Sequence, residues 1–194
     1  MKEPPRLTTP MSRDFCPSLA WSSLGWSNWL QGDLQAARDC GQKAIAIQSE
    51  AGQPVMLSLA HLLLGTISLD SGDLSKALDS IEEALKLSRA SGERYIEGRS
   101  MAWHGRVLGR ADVSQAAVAE ESIMQGIKLL EELKMRPWQA EGHMLAGQLY
   151  ADTGQQQKAV TSLNRAQGMF QEMEMTHWLA RAHTALTRVH GVNP

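Results

Sequence analysis

The chain has 194 residues and a mass of 21.3 kDa, and 43% of its residues are hydrophobic. With 19 basic and 21 acidic residues the net charge is −2, which gives no sign of nucleic-acid or anionic-membrane binding. Two cysteines are too few for a disulfide framework. No stretch approaches the roughly 20 apolar residues of a membrane-spanning helix, so we expect a cytoplasmic protein.

The amino-terminal segment differs in composition from the rest of the chain. Residues 1–17 contain four prolines among polar residues and show no helical periodicity, which predicts a flexible lead-in. Residues 18–190 carry apolar residues at helical spacings throughout, and we expect them to form one helical domain.

An internal repeat organises this domain. Its clearest copy is Leu62–Ser88, in which a Ser-Gly-Asp turn joins two amphipathic helices. In the first helix of each pair a glycine recurs at gaps of 40, 40 and 42 residues: Gly25, Gly65, Gly105 and Gly147. In the second helix an alanine recurs at gaps of 40, 42 and 40 residues: Ala37, Ala77, Ala119 and Ala159. A single two-residue insertion, in the turn region 109–114, accounts for the difference, because turns tolerate insertions that helix faces do not.

The repeat predicts the elements in chain order. We expect four helix pairs and a capping helix, with the repeats at about 18–51, 54–91, 94–135 and 137–174 and the cap at 176–190. A capping helix should carry polar residues on its outer face, and Arg181 and Arg188 are candidates for that face.

The repeated residues resemble the tetratricopeptide repeat family, with Leu24-Gly25 and Leu64-Gly65 as the best-preserved pairs. The resemblance implies an all-α fold, a right-handed superhelical solenoid of antiparallel helix pairs. The period of 40 is similar to the long repeats of bacterial signalling proteins that also carry a nucleotide cyclase or an ATPase domain. No cyclase or ATPase sequence is present in this chain.

The chain shows no pattern typical of an enzyme, a metal site or a cofactor site. His61, His143 and His183 hold equivalent positions in different repeats. Equivalent positions in stacked repeats lie about 10 Å apart, which is too far for the three side chains to bind one metal ion. Acidic pairs such as Glu120-Glu121 lie on second helices, where solvent exposure explains them better than catalysis. We therefore predict no enzymatic activity and no cofactor.

The resemblance places the first helices on a concave groove and predicts a partner-binding surface there. The groove residues are Trp26, Trp29, Leu62, Thr66, Arg99, Arg106, Arg110, Met144 and Gln148. Arg181 and Arg188 of the cap extend the same line. Arginine and tryptophan together suit a peptide or helix with acidic and apolar residues, and such a protein would be a non-catalytic scaffold, for example a regulatory module of a bacterial signalling protein. The alternative is that the arginines only solvate the surface.

The first-repeat residues have a second interpretation. Trp26, Trp29 and Leu30 could form an apolar edge on which another repeat or a second copy of the chain stacks. This alternative predicts a structural module that forms a homodimer and binds no peptide.

Overall fold

The computed structural model describes residues 15–51 and 56–191, which form nine α-helices, one short 3-10 helix and no β-strand. The helices are α1 Phe15–Leu30, α2 Leu34–Ala51, α3 Leu57–Asp70, α4 Leu74–Ser91, α5 Arg94–Ala111, α6 Ala116–Glu132, α7 Arg136–Asp152, α8 Gln156–Glu172 and α9 Thr176–Gly191. The 3-10 helix, Val113–Gln115, precedes α6.

The helices pair as antiparallel neighbours in a right-handed superhelix, and this confirms the predicted all-α solenoid. α1, α3, α5, α7 and α9 are the first helices and line the concave side, whereas α2, α4, α6 and α8 lie outside. Burial shows the difference: α3, α5 and α7 bury ten or eleven residues each, against four or five in α4, α6 and α8. An inner helix is covered on most sides, whereas an outer helix buries a single face.

The repeated glycines mark the point where the two helices of a pair cross. A Cβ atom built on Gly65 would lie 3.1 Å from the carbonyl oxygen of Ala77, and one on Gly105 would lie 2.3 Å from that of Ala119. A Cβ built on Gly25 would lie 3.3 Å from the carbonyl oxygen of Ala37, and one built on Gly147 would lie 3.2 Å from that of Ala159. The spacing of small residues in the sequence therefore marks tight helix crossings. At Gly105 the partner backbone leaves no room for a Cβ, and at the other three glycines a Cβ would lie within 2.4 to 2.6 Å of a neighbouring side chain.

The turns between paired helices are of two kinds. Gly32, Gly72 and Gly154 adopt φ values of 86°, 82° and 74°, which favour glycine because it has no Cβ. The third pair lacks this glycine: the Asp112 carboxylate accepts a hydrogen bond from the backbone N–H of Ser114 at 2.9 Å, and the 3-10 helix follows. The two inserted residues are accommodated here.

The first helix begins three residues earlier than its predicted start at Ser18. Pro17 is compatible with this because it lies in the first turn, where its missing N–H would have no intrahelical partner. The predicted lead-in lies outside the described residues up to residue 14, as does the predicted start of the second repeat at Pro54. Within the described ranges no helix is both long and apolar enough to cross a membrane.

Candidate functional site

Tryptophan side chains fill much of the concave face. Trp29, near the end of α1, is 1% exposed and lies at the centre of the cluster. Its ring centroid is 5.3 Å from that of Trp26, 6.0 Å from that of Trp103 and 5.8 Å from that of Trp178. Trp103 belongs to α5 and Trp178 to α9, so side chains of the first and last described helices meet across the concave face.

A buried ion pair adjoins the tryptophan cluster. Arg99 donates hydrogen bonds of 2.8 and 3.0 Å from Nε and Nη2 to the two carboxylate oxygens of Glu141, and each side chain is 2% exposed. The Arg99 guanidinium also lies 4.4 Å from the ring centroid of Trp26 and 3.8 Å from that of Trp138. Two hydrogen bonds and two aromatic faces thus satisfy this cation within the protein.

Asp70 and Arg181 close the solenoid beside Trp29. The indole N–H of Trp29 donates to Asp70 Oδ2 at 2.8 Å, and Arg181 Nη2 lies 3.8 Å from the same oxygen. The Arg181 guanidinium is 4.1 Å from the centroid of the Trp29 ring. Because Arg181 is on α9, Asp70 on α3 and Trp29 on α1, these contacts tie the last helix to the first two inner helices. We call this group the closure cluster: Trp29, Asp70, Trp178 and Arg181.

Next to the closure cluster lies a cavity of about 500 Å³ between α3, α5, α7 and α9. Its lining combines charged and apolar side chains: Leu69, Asp70, Trp103, Arg106, Arg110, Met144, Gln148, Ala151, Asp152, Gly154, Gln156, Leu163, Arg181, Ala185, Arg188 and Val189. Four of these are arginines and two are aspartates, so the lining carries a net charge of +2. We call this space the arginine cavity.

The two inner arginines of the cavity each face one aspartate. Arg106 Nη1 lies 2.7 Å from Asp152 Oδ2, and its Nε donates to Gln148 Oε1 at 3.2 Å. Burial lowers the pKa of Arg106, an effect that the Asp152 carboxylate opposes. Burial lowers the pKa of Arg181 as well, and Asp70 opposes it. The Arg106 side chain is 9% exposed and is largely shielded from water, whereas Arg181, at 30%, is only partly shielded.

The two outer arginines have no such partner. Arg110 and Arg188 are exposed, and neither has a hydrogen bond or an ion pair to any residue that the structure describes. Arg110 ends α5 next to Arg106, and its charge further lowers the pKa of Arg106. The outer pair is thus free to bind an anion that enters the cavity.

The predicted groove residues fall into two sets. Arg106, Arg110, Met144 and Gln148 line the arginine cavity together. The second set lies elsewhere, and most of it is buried: Leu62 and Thr66 at 0% exposure, Trp29 at 1%, Arg99 at 2%, and Trp26 half-buried against Arg99. The expectation of an open groove is wrong for these four side chains, which neighbouring helices cover, and in the first set Met144 and Arg106 are also buried, at 1% and 8% exposure.

The predicted apolar edge also changes. Trp29 points into the core and is not available to a second copy of the chain. Trp26 and Leu30 are half-buried and pack against the same core. Arg181, predicted on the outer face of the cap, instead faces inward over Trp29, because the superhelix curves enough to bring α9 back to α1.

The sequence interpretation missed the two aspartates of the cavity. Asp70 and Asp152 stand five residues after Gly65 and Gly147, the same repeat position as Arg110. A charged residue recurring at one position, with alternating sign, was the signal available. The ion pairs that these aspartates form are with arginines at other positions, Asp152 with Arg106 and Asp70 with Arg181.

The acidic pair and the histidines that the sequence analysis considered differ in their surroundings. Glu120 accepts hydrogen bonds from Tyr150 Oη at 2.7 Å and from Lys158 Nζ at 3.3 Å. Burial raises the pKa of the Tyr150 hydroxyl, and Glu120 adds to the shift. His143 is buried, whereas His183 is exposed. No group of three or more His, Cys, Asp or Glu among the described residues could hold a metal ion.

Two segments of the sequence match the family model described as tetratricopeptide repeat, residues 59–91 and 140–172. They cover most of the second and fourth helix pairs. A comparison of the sequence with curated proteins gave no match.

Solved structures with a similar fold include bacterial and archaeal proteins. The chain is similar to aspartyl phosphate phosphatase F from Bacillus subtilis, with 19% identity, a TM-score of 0.63, and 87% of this chain and 44% of that chain covered. A Rap protein complexed with competence and sporulation factor gives 14% identity, a TM-score of 0.70, and coverages of 89% and 51%.

A third similar structure is the signal transduction ATPase PH0952 from Pyrococcus horikoshii, a STAND protein with a tetratricopeptide repeat sensor. It gives 16% identity, a TM-score of 0.56, and coverages of 93% and 34%. The chain therefore spans about half or less of each of these three proteins. At these identities the likeness shows the shared fold.

Proposed function

We propose that this chain, a helical repeat solenoid in which two segments match the tetratricopeptide repeat model, is a non-catalytic scaffold that binds a partner protein through its concave side. Repeats and folds of this kind support a role in protein interaction. The finer proposal is that the partner contributes an acidic segment, that the arginine cavity receives it, and that the complex forms in the cytoplasm.

The observation that carries this proposal is the pair of unpartnered arginines at the cavity. Arg110 and Arg188 come from α5 and α9, and both are exposed without a partner among the described residues. Arginine presents a planar set of donors that fits a carboxylate in two parallel hydrogen bonds. Arg99 does not serve this purpose because Glu141 and two indole rings already surround it.

We further propose a regulatory role within a signalling system. Support comes from the likeness to PH0952, whose name describes a tetratricopeptide repeat sensor in a signal transduction ATPase. Under this proposal the chain senses or recruits a partner, and catalysis belongs to another protein or domain.

The test of partner binding is a capture experiment with charge-reversed variants. The purified protein, the double variant Arg110→Glu/Arg188→Glu and the control Lys128→Glu/Arg165→Glu are incubated with a lysate of the source cells, and bound proteins are identified by mass spectrometry. Lys128 and Arg165 are exposed on the outer helices α6 and α8, so the control makes the same change of net charge away from the cavity.

We expect a partner that the wild type and the control retain and the cavity variant loses. Equal capture by all three proteins would contradict the proposal that the cavity receives the partner. Circular dichroism of each variant checks that the helical fold is preserved, and the exposed positions of all four residues make this the expected result.

Self-association through the first repeat is the second candidate, and one observation favours it. Leu24 on α1 is 47% exposed, which is unusual for a leucine beside half-buried apolar neighbours. A homodimer would have twice the mass of 21.3 kDa in light scattering, and Leu24→Glu would return it to the monomer. A wild-type protein that is monomeric at high concentration would eliminate this candidate.

A further inference from the structure

We propose that the arginine cavity is a binding site for a small amphiphilic anion, a compact oxyanion group carried on an apolar body. The inference rests on the proposed function in taking the same cavity as the binding surface, and it names the chemistry of the ligand. The oxyanion could belong to a free metabolite or to a side chain of the partner protein. The experiments below separate these two sources.

The positive charge of the lining favours an anionic ligand. Four arginines and two aspartates leave a net charge of +2 around a single space, and the two aspartates are engaged by Arg106 and Arg181. The net charge therefore resides on Arg110 and Arg188, which have no ion-pair partner among the described residues. An anion placed between these two arginines would be the counter-charge that the lining itself does not supply.

The cavity is too large to be filled by an oxyanion group alone. A volume of about 500 Å³ lies within the usual range for small-molecule sites, roughly 300–1,000 Å³, and far exceeds the space that one phosphate or carboxylate group fills. The apolar part of the lining includes Trp103, Met144, Ala185 and Val189, of which Ala185 is half-buried and the other three are almost fully buried. A ligand that fills the space would place an apolar body against these side chains and its charged group against the arginines.

A structural role for the outer arginines is the competing explanation. Arg110 lies in the last turn of α5, and Arg188 is close to the end of α9, where a cation interacts favourably with the helix dipole. This role would apply to each arginine separately and gives no reason for four of them to line one cavity. It also predicts effects on stability and none on ligand binding.

The experiment titrates the full chain with three probes, monitored by calorimetry and by tryptophan fluorescence, since Trp103 lines the cavity. Phenyl phosphate has both an apolar body and a dianion, inorganic phosphate has the dianion alone, and benzyl alcohol has the apolar body alone. We expect phenyl phosphate to bind at one site with a Kd on the order of 0.1–1 mM, as its size permits, and more tightly than either other probe.

Single variants locate the site. Arg110→Gln and Arg188→Gln should each weaken phenyl phosphate binding about fivefold to tenfold, because each removes a charge-assisted hydrogen-bond donor. Arg165→Gln, on the outer helix α8, should leave binding unchanged. No saturable binding of phenyl phosphate up to about 10 mM would overturn the proposal. Equal binding by the wild type and both cavity variants, or equal binding of benzyl alcohol, would overturn it as well.

Competition identifies the source of the anion and separates this inference from the proposed function. If saturating phenyl phosphate releases the captured partner, an acidic or phosphorylated side chain of the partner occupies the cavity. If the partner stays bound, the ligand is a free small molecule and the partner binds elsewhere. Arginine-dependent partner capture without binding of any probe would refute the ligand class while supporting the proposed function. Arginine-dependent binding of phenyl phosphate, together with partner capture that does not depend on the arginines, would support the ligand class and refute the proposal that the cavity receives the partner.

Discussion

At the scale of the residue, arginines of this protein have two distinct roles that the sequence alone does not separate. Arg99 and Arg110 both stand on α5 at positions predicted to face the groove. Arg99 is buried between two indole rings and paired with Glu141, whereas Arg110 is exposed and unpaired among the described residues. The difference depends on which side chain of the neighbouring inner helix lies opposite each arginine. Glu141 of α7 pairs with Arg99, and only the packed structure shows this pairing.

Removing one partner of the buried Arg99–Glu141 pair should be costly. We expect Glu141→Gln to reduce the free energy of unfolding by about 3–5 kcal/mol, because it leaves a buried guanidinium without its carboxylate. The double variant Arg99→Met/Glu141→Leu should cost much less than the sum of the single changes. Guanidinium unfolding followed by circular dichroism measures Glu141→Gln, the single variants Arg99→Met and Glu141→Leu, and the double variant, and additive losses in the last three would show that the pair is not coupled.

His143 should make the protein sensitive to acid. Burial, with a contribution from Arg165, lowers its pKa to about 4 from the ordinary 6.5. Between about pH 6.5 and pH 4, His143 is therefore protonated in the unfolded chain and neutral in the folded chain. The free energy of unfolding should fall by up to about 3 kcal/mol as the pH drops through this range. Unfolding measured across this range should show a shallower loss for His143→Gln. His61 and His104, whose pKa values burial also lowers, would account for the remainder.

At the scale of the element, the repeat is defined by small residues at helix crossings. Gly105 faces the carbonyl oxygen of Ala119, and the same pairing recurs in all four helix pairs. The crossing is tight in each pair, which favours glycine at this position and made the period recognisable in the sequence. The turns were less readable in the third pair, where Asp112 and a 3-10 helix replace the usual glycine.

Two glycine substitutions should have opposite effects. At Gly105 an added Cβ would lie 2.3 Å from the Ala119 carbonyl oxygen, so Gly105→Ala should destabilise the protein by about 1–3 kcal/mol through overpacking. At Gly168, exposed in α8 with nothing within 4 Å of the added Cβ, Gly168→Ala should stabilise it by about 0.5–1 kcal/mol. Thermal unfolding compares the two. A stabilised Gly105→Ala variant would mean that the helices do not approach as closely as described.

At the scale of the whole molecule, the main feature is the return of α9 to α1. The sequence predicted the number of helix pairs, because each repeat carries its own glycine and alanine markers. It did not predict the closure, because curvature accumulates from a small rotation between successive repeats that no single residue encodes. Trp29 and Arg181 were both predicted on the line of the concave groove, with an edge and an outer face as their other interpretations, but their contact with each other was not predicted.

Closure also creates the candidate site. The arginine cavity combines residues of α3, α5 and α7 with Arg181 and Arg188 of α9. In an open solenoid, where a repeat contacts only its neighbours, α9 would contribute nothing to residues on α3. The functional proposal therefore depends on the contacts of the closure cluster, and this dependence can be tested without knowledge of any ligand.

The most direct test is hydrogen exchange of α1 in a variant of α9. Trp178→Leu removes the ring whose centroid lies 5.8 Å from that of Trp29, and Val189→Ala disturbs the same helix without changing that contact. We expect Trp178→Leu, and not Val189→Ala, to speed exchange of backbone amides in residues 19–30 by about threefold to tenfold, in line with the loss of one aromatic contact. If Trp178→Leu changed exchange only in α7, α8 and α9, the solenoid would be open and the closed cavity would be contradicted.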